Sequence, residues 1–404
     1  MKILYRTIFF LFFIFSNNVY ADNLMILYRS AVLNFPSLES FKNKEQSLKY
    51  DNKALGWQRL FDVDIVANYY RLSTDNYGKY SNGDLGVFTT FDIFNNKGVD
   101  RAINRYEIKK NKSLTDAEKK NIFTIITAAY FDLLKNSQLL KIHGETLNWI
   151  EKNILLVNAG VEKGIFPATD ISRWTIEQLN YQNSVSSDKL EINRALETLR
   201  IITAVDSVSA EDIAPAEYEE LSEEDILKNS PELSVYDLEK KQVELEIKKE
   251  CRNLYPYLQV GNSLVMNNEP GSTGDQYFVS ANLNFKLFDG GKRYRILSDK
   301  SRIKSIENEQ KAARALFTEQ YRNKLTEMKT MKDMLKNITT AKDLSAENLD
   351  KLLTGYQKRF IDFTTLFNAF RDDIAVRENY IKTNIDFNQN YFYLYHLSHG
   401  DIYF

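Results

Sequence analysis

The 404-residue sequence predicts an α+β membrane fold: two structural repeats, each a helix, a β-hairpin and a long helical pair, giving four strands per chain. Three observations carry this. Landmarks recur at a constant shift, alternating segments have membrane-crossing length, and long helical stretches carry apolar residues every seven positions.

The start of the chain is set apart first. Lys2 and Arg6 precede an apolar run from Ile8 to Phe15, and Val19-Tyr20-Ala21 offers a cleavage point before Asp22. Such a run is shorter than the roughly 20 residues a membrane helix needs. It reads as a secretory signal over residues 1–21 that delivers the chain to a bacterial-type periplasm. No cysteine stands directly after the cleavage point, so no lipoprotein form is expected. Cys251 has no partner in the sequence and reads as a small apolar side chain at a helix end. No second apolar run reaches membrane-helix length, so entry into a membrane has to be by β-strands. The formal net charge of −2 argues against nucleic-acid binding.

Four landmarks repeat at a shift of 194 or 195 residues. Phe35-Pro36-Ser37-Leu38 answers Ser230-Pro231-Glu232-Leu233. The alternating segment Phe61 to Tyr69 answers Pro256 to Leu264, and Phe91 to Asn96 answers Phe285 to Gly290. A helix break at Gly164 to Ile171 answers Arg359 to Leu366. The first repeat then spans 22–203 and the second 231–404. The connector 204–230 contains an acidic stretch, Glu211 to Asp225, with eight acidic residues and no basic ones, read as solvated.

In the last strand, Tyr277, Val279, Ala281, Leu283, Phe285 and Leu287 share one face. Ser280, Asn282, Asn284 and Lys286 share the other, with Phe278 as its exception. About 9 to 11 residues cross a membrane as a tilted strand. Polar turns are expected at Ser73 to Asp84 and Asn267 to Gln276. Two hairpins cannot close a barrel, so strands have to be pooled from several chains.

After the first hairpin, Ile126, Leu133, Leu140, Leu147, Ile154 and Val161 form one heptad line. Ile122, Ala129, Asn136, His143, Ile150 and Val157 form its companion. His143 reads as a polar residue tolerated in this seam. A helix from about Asp116 to Lys163 would run roughly 70 Å. The second copy is rougher: Phe317, Tyr321, Met328, Met331, Leu335, Ile338, Leu349 and Leu352, broken by Lys324, Lys342 and Ser345. Return helices are expected over about Asp170–Ile202 and Thr365–Tyr395.

With these elements in place the sequence resembles the TolC family of outer-membrane efflux proteins. The resemblance rests on Gly164 to Ile171, on Leu283 to Gly291 and on Leu196 to Thr203. It implies a homotrimer whose pooled strands make one twelve-stranded barrel in outer-membrane lipid, continued by a long antiparallel α-helical barrel through the periplasm. It also implies a passive exit duct for efflux or type I secretion, served by an inner-membrane transporter and a periplasmic adaptor (membrane fusion protein).

The resemblance carries site residues with it. Asp170 falls on the acidic gate position of the first tip and Tyr356 on a gate tyrosine of the second. The arginine position holds Ile361, with Arg359 two residues earlier as a substitute. Thr365 and Asn368 occupy positions that are acidic in some members, implying a less anionic constriction. Gly164, Ile165, Phe166, Pro167, Ile361 and Asp362 fall where adaptors dock. Asp170 also reads as a helix cap.

No catalytic site, cofactor or metal site is expected. His396 and His399 share a helical spacing but lie at the chain end near only Asp401. Asp289-Gly290-Gly291 reads either as an anion-binding turn or as a membrane-edge turn, the latter more simply. The competing architecture is a periplasmic coiled-coil scaffold or adaptor, which leaves the two hairpins unexplained.

Overall fold

A computed structural model describes residues 23–398 except 59, 75–77, 93–95, 207, 209–221, 253, 268–273 and 285. The signal segment, most of the acidic connector, Phe285, His399 and Asp401 lie outside the described residues, as does the side chain of His396.

The helices are α1 (23–34), α2 (Pro36–Gln58), α3 (Asn96–Glu162), α4 (Ala168–Thr203), α5 (Glu223–Lys228), α6 (Pro231–Arg252), α7 (Lys292–Gln357) and α8 (Phe363–Ser398). The strands are β1 (Asp62–Thr74), β2 (Gly78–Phe91), β3 (Tyr257–Asn267) and β4 (Gln276–Asn284). The chain divides into two compact units. One comprises Ser40–Thr115 and Pro231–Arg314, the other the segments up to Glu39, Asp116–Ser230 and Ala315–Phe404. Each repeat contributes to both units. Among the described residues, no helix is long and apolar enough to cross a membrane.

The sheet unit contains one antiparallel sheet of order β1-β2-β3-β4, so β1 and β4 each keep an open edge. Paired residues share a face. Ile65 opposes Val87, Val87 opposes Asn262, and Asn262 opposes Val279. The next row joins Ala67, Leu85, Leu264 and Tyr277. Apart from Asn262 these rows are apolar, and they are half or more exposed at Ile65 and Val279 (73% and 74%). The opposite face has Asp62 against Thr90, Asp64 against Phe88 and Asn68 against Asp84. There Tyr70 donates its hydroxyl to Asp84 Oδ2 at 2.9 Å, and the Asn68 N–H donates to Oδ1 at 3.1 Å. One face therefore suits lipid and the other water.

Strand lengths differ from expectation. The first hairpin pairs out to Thr74 and Gly78, well into the segment expected to turn. The last strand was expected to reach Leu287, but β4 ends at Asn284. Beyond it, Asp289 organises the chain instead. Its carboxylate accepts from Lys286 Nζ (2.9 Å), the Gly291 N–H (3.1 Å) and Arg295 Nη2 (2.6 Å). Those two cations, Lys286 first, hold its pKa down to about 2. A carboxylate so placed makes this a cation-paired turn, which disposes of the anion-binding alternative. Helices in this unit are joined largely by polar contacts, with Lys240 on Glu307 and Arg302 on Glu246 (3.0 Å) and Glu239 (3.4 Å). Cys251 is exposed, contrary to its apolar reading, because the last turn of α6 is charged rather than apolar.

α3, which belongs to the helical unit from Asp116 onward, corrects the expected boundary. It begins at Asn96, some twenty residues before Asp116, because the Lys-rich stretch before Ile122 is helical without an apolar stripe. Between Ile122 and Leu134 it is buried nearly all round. The companion line stays inside at Ile122, Ala129, His143, Ile150 and Val157, but the other line leaves the core after Leu133. Leu140, Leu147, Ile154 and Val161 are only partly buried. Leu139, Thr146, Asn153 and Gly160 take their place. α7 buries Tyr321, Met328, Leu335, Leu349 and Tyr356, seven or fourteen apart. Its interruptions have partners: Lys342 Nζ lies 4.2 Å from the Tyr380 ring centroid, and Ser345 donates to Asp373 Oδ1 at 2.8 Å.

Candidate functional site

The two helix breaks lie within the helical unit, and their backbones match at a shift of 195. At the first, Gly164 N–H donates to Val161 O (2.9 Å) and Ile165 N–H to Gly160 O (2.7 Å). At the second, Arg359 N–H donates to Tyr356 O and Phe360 N–H to Gly355 O, both 2.9 Å. The first residue of each break is left-handed, Gly164 at φ 68° and Arg359 at φ 62°. This closes each helix as a Schellman motif. A non-glycine residue there costs roughly 1 kcal/mol. Phe166 and Ile361 fold back over Gly160 and Gly355, where a Cβ would collide with them. Glycine is needed at those two positions for close approach.

The side chains differ where the backbones agree. Asp170 and Tyr356 are brought together, and both are buried (5% and 3% exposed). The Tyr356 hydroxyl donates to Asp170 Oδ2 at 3.3 Å. Burial raises the Asp170 pKa, and the Tyr356 hydrogen bond and the Arg173 charge only partly offset it. Tyr356 is raised too, by burial first and then by the Asp170 charge. The N-cap of α4 is Pro167, with no side-chain cap bond. Asp170 is thus not the N-cap; it lies in the first turn, where a carboxylate also favours the helix dipole.

Phe166 stacks on Tyr356 (centroids 4.8 Å, 10° between planes). Trp174, fully buried, lies one turn beyond Asp170 and meets Trp149, Phe363, Phe367 and Phe370 at 5.1 to 5.7 Å. Trp149 stacks on Phe370 at 4.8 Å. Arg173 donates to Thr364 Oγ1 (3.3 Å) and lies 5.7 Å from the Phe363 ring centroid. The two tips are therefore joined by an aromatic cluster with one buried carboxylate–phenol contact.

The remaining expected residues are not drawn into this contact. Arg359 and Asn368 are exposed, and Arg359 makes no ion pair among the described residues. Thr365 is exposed and serves α8: its N–H and hydroxyl donate to Asp362 at 2.9 and 2.7 Å. Those bonds, the Thr365 hydroxyl first, lower the Asp362 pKa. Gly164 and Pro167 are exposed, while Ile165, Phe166 and Ile361 are half-buried. Phe360, 82% exposed beside Arg359, went unnoticed in the sequence.

The largest omission lies further along the helices. His143 of α3 contacts Asp188 Oδ2 of α4 through Nδ1 (2.6 Å) and Glu378 Oε1 of α8 through Nε2 (3.1 Å). Burial opposes charge on the imidazole, but hydrogen bonds to Glu378 and Asp188 raise its pKa overall. Its bond to His143 lowers that of Glu378. On α4 the inward stripe includes Asp170, Trp174, Glu177 and Asp188, so its period is visible only once acidic residues are allowed inside. Among the described residues no group of side chains is arranged to hold a metal.

No protein-family model matches the chain, and no curated protein matches it. Solved structures do. CusC, described by its transmembrane channel formation, aligns over 93% of this chain and 92% of its own at 13% identity and TM-score 0.82. The outer membrane protein VceC of Vibrio cholerae covers 95% and 98% at 13% identity and TM-score 0.80. The CmeC outer membrane channel of Campylobacter jejuni covers 94% and 86% at 12% identity and TM-score 0.80. Helices, four-stranded sheet and paired tips together give this chain the fold of the outer-membrane channels, the fold its resemblance to the TolC family implied.

Proposed function

We propose that the chain is one protomer of a homotrimeric outer-membrane export channel. It is a passive exit duct for efflux or type I secretion that works with an inner-membrane transporter and a periplasmic adaptor. The observation that carries this reading is the two-faced sheet with open edges at β1 and β4. A lipid-suited face and a wet face on one open sheet call for closure by copies of the same chain. Three sheets would then make a twelve-stranded barrel in the outer membrane, with the helices reaching into the periplasm. The two repeats at 22–203 and 231–404, with the acidic connector between, supply matching halves of each protomer. The fold likeness to outer-membrane channels supports the same reading.

The test is fractionation. A trimer that resists SDS until heated, in the outer-membrane fraction, is the expected result; a monomeric soluble periplasmic pool would overturn the proposal.

The tips are the proposed gate. Asp170 and Tyr356 hold the two tips of one protomer together, and Gly164, Ile165, Phe166, Pro167, Ile361 and Asp362 offer the adaptor-docking surface. Arg359, Thr365 and Asn368 face solvent at the same end. Gating is then a rearrangement of tips between closed and open states. Asp170→Ala is expected to raise single-channel conductance in planar bilayers by at least twofold. Unchanged conductance would remove Asp170 from the gate.

A further inference from the structure

The wet face of the sheet is not uniformly polar. Apolar side chains interrupt it, and the strand register gathers three of them, Val66, Phe88 and Phe278, into two successive rows, with Val265 in the row beyond, beside Asp84. Phe88 lies in the row of Asp64, Gly261 and Ser280; Val66 and Phe278 lie in the next, with Gly86 and Ser263 between them. Rows on one face are about 7 Å apart, two residues along a strand, so the three lie in neighbouring rows. Phe88 lies flat on the sheet. A Cβ on Gly86 would come within 2.6 Å of its ring, and one on Gly261 would also collide with it. Two adjacent strands thus give up a side chain beneath one ring. Phe278 stands 47% exposed at the other side of the sheet.

Charge brackets these rows. Asp62 lies one row nearer the helical end of β1, Asp64 lies in the row of Phe88 itself, and Asp84 lies one row beyond Val66 towards the hairpin ends. Among the described residues of the strands, none on this face is basic. The arrangement is an aromatic and aliphatic band between carboxylates.

We infer that this band is a selectivity belt in the bore that favours amphipathic aromatic cations. The inference rests on the duct reading, because only closure of the barrel turns the wet face inward. Carboxylates on a low-dielectric wall concentrate cations. Aromatic rings then retain those that present a π-face or an onium group. Small inorganic ions would pass with little retention, and an aliphatic cation of equal charge would be held by the carboxylates alone.

The test uses the full-length protein in planar bilayers, with tetraphenylphosphonium and tetrabutylammonium as probes. Cation-over-anion selectivity is expected in a salt gradient. Tetraphenylphosphonium blocks should last at least fivefold longer than tetrabutylammonium blocks. Phe278→Ser should bring the two dwell times together, Phe278→Tyr should preserve the difference, and Asp64→Asn should shorten both. If Phe278→Ser fails to assemble, Phe278→Leu, which keeps the apolar bulk and removes the ring, carries the same test with a reduction of at least twofold. Equal dwell times in the wild type, or dwell times unmoved by loss of the Phe278 ring, would overturn the belt and leave the channel standing. Absence of any conducting species would instead overturn the duct.

Discussion

Trp174→Ala should unfold the tip end of the helical unit well before the rest. The indole is fully buried and touches four other aromatic rings contributed by α3 and α8. Removing a large aromatic side chain from such a core costs about 4 kcal/mol, because transfer free energy is lost and the surrounding rings cannot collapse into the space. The denaturant midpoint should fall accordingly, and proteolysis should begin near residues 160–170 and 355–365. Trp174→Phe should lose much less. It keeps most of the ring contacts and also removes an indole N–H that has no acceptor among the described residues. A midpoint within experimental error of wild type for the alanine variant would show that the cluster does not hold the tips.

His143→Leu should be nearly as damaging, for an electrostatic reason. His143 ties α3 to α4 through Asp188 and to α8 through Glu378, and Asp188 is 6% exposed. Leucine fills the space but leaves a buried carboxylate without its partner, a loss of about 3 kcal/mol. The wild-type clasp also has a pH window. His143 has a folded value above its ordinary 6.5, so its contribution is complete below 6.5 and disappears as pH rises through the folded value. Glu378 has a folded value below its ordinary 4.5, so its contribution is complete above 4.5 and disappears as pH falls through the folded value. The groups facing the imidazole are Asp188 and the Tyr181 ring on α4 and Glu378 on α8, the last also bonded by Lys382 at 3.3 Å. Thermal midpoints from pH 4 to 9 should show a plateau between about 4.5 and 6.5, followed by a decline as pH rises above that window. His143→Gln should flatten that decline, and an identical decline in the variant would assign it to other groups.

Much of this fold was legible because its periods are simple. Alternation exposed the strands, and the constant shift exposed the paired helix breaks down to the left-handed position. What escaped was polar burial. Asp188, Glu177 and Asn153 sit inside, where an apolar template leaves blanks; Asp188 meets His143 and Glu177 meets Arg371 from distant parts of the chain, while Asn153 donates back to Trp149 O one turn earlier. His143 was visible as a seam residue, but neither carboxylate beside it was. The switch of burial in α3 from the line of Leu140 to that of Thr146 was hidden for the same reason, since Thr146, Asn153 and Gly160 do not look like core. At the tips, Asp170 and Tyr356 were found through family resemblance, whereas the Trp174 hub needed only helical spacing from Asp170 to be seen. The wet-face exception Phe278 was visible at once; its companion Phe88 emerged only from strand register.

The matched tips bear on counting. Each protomer presents two turns with one hydrogen-bonding pattern and one αL residue, yet one is built on Gly164 and the other on Arg359. In the proposed trimer these alternate around the rim, giving a ring that is sixfold in shape and threefold in chemistry. A partner that grips backbone contour would find six seats and could bind six copies. A partner that reads the arginine or the neighbouring exposed Phe360 would find three. The stoichiometry of a docked complex therefore reports which of the two, outline or side chain, the partner recognises.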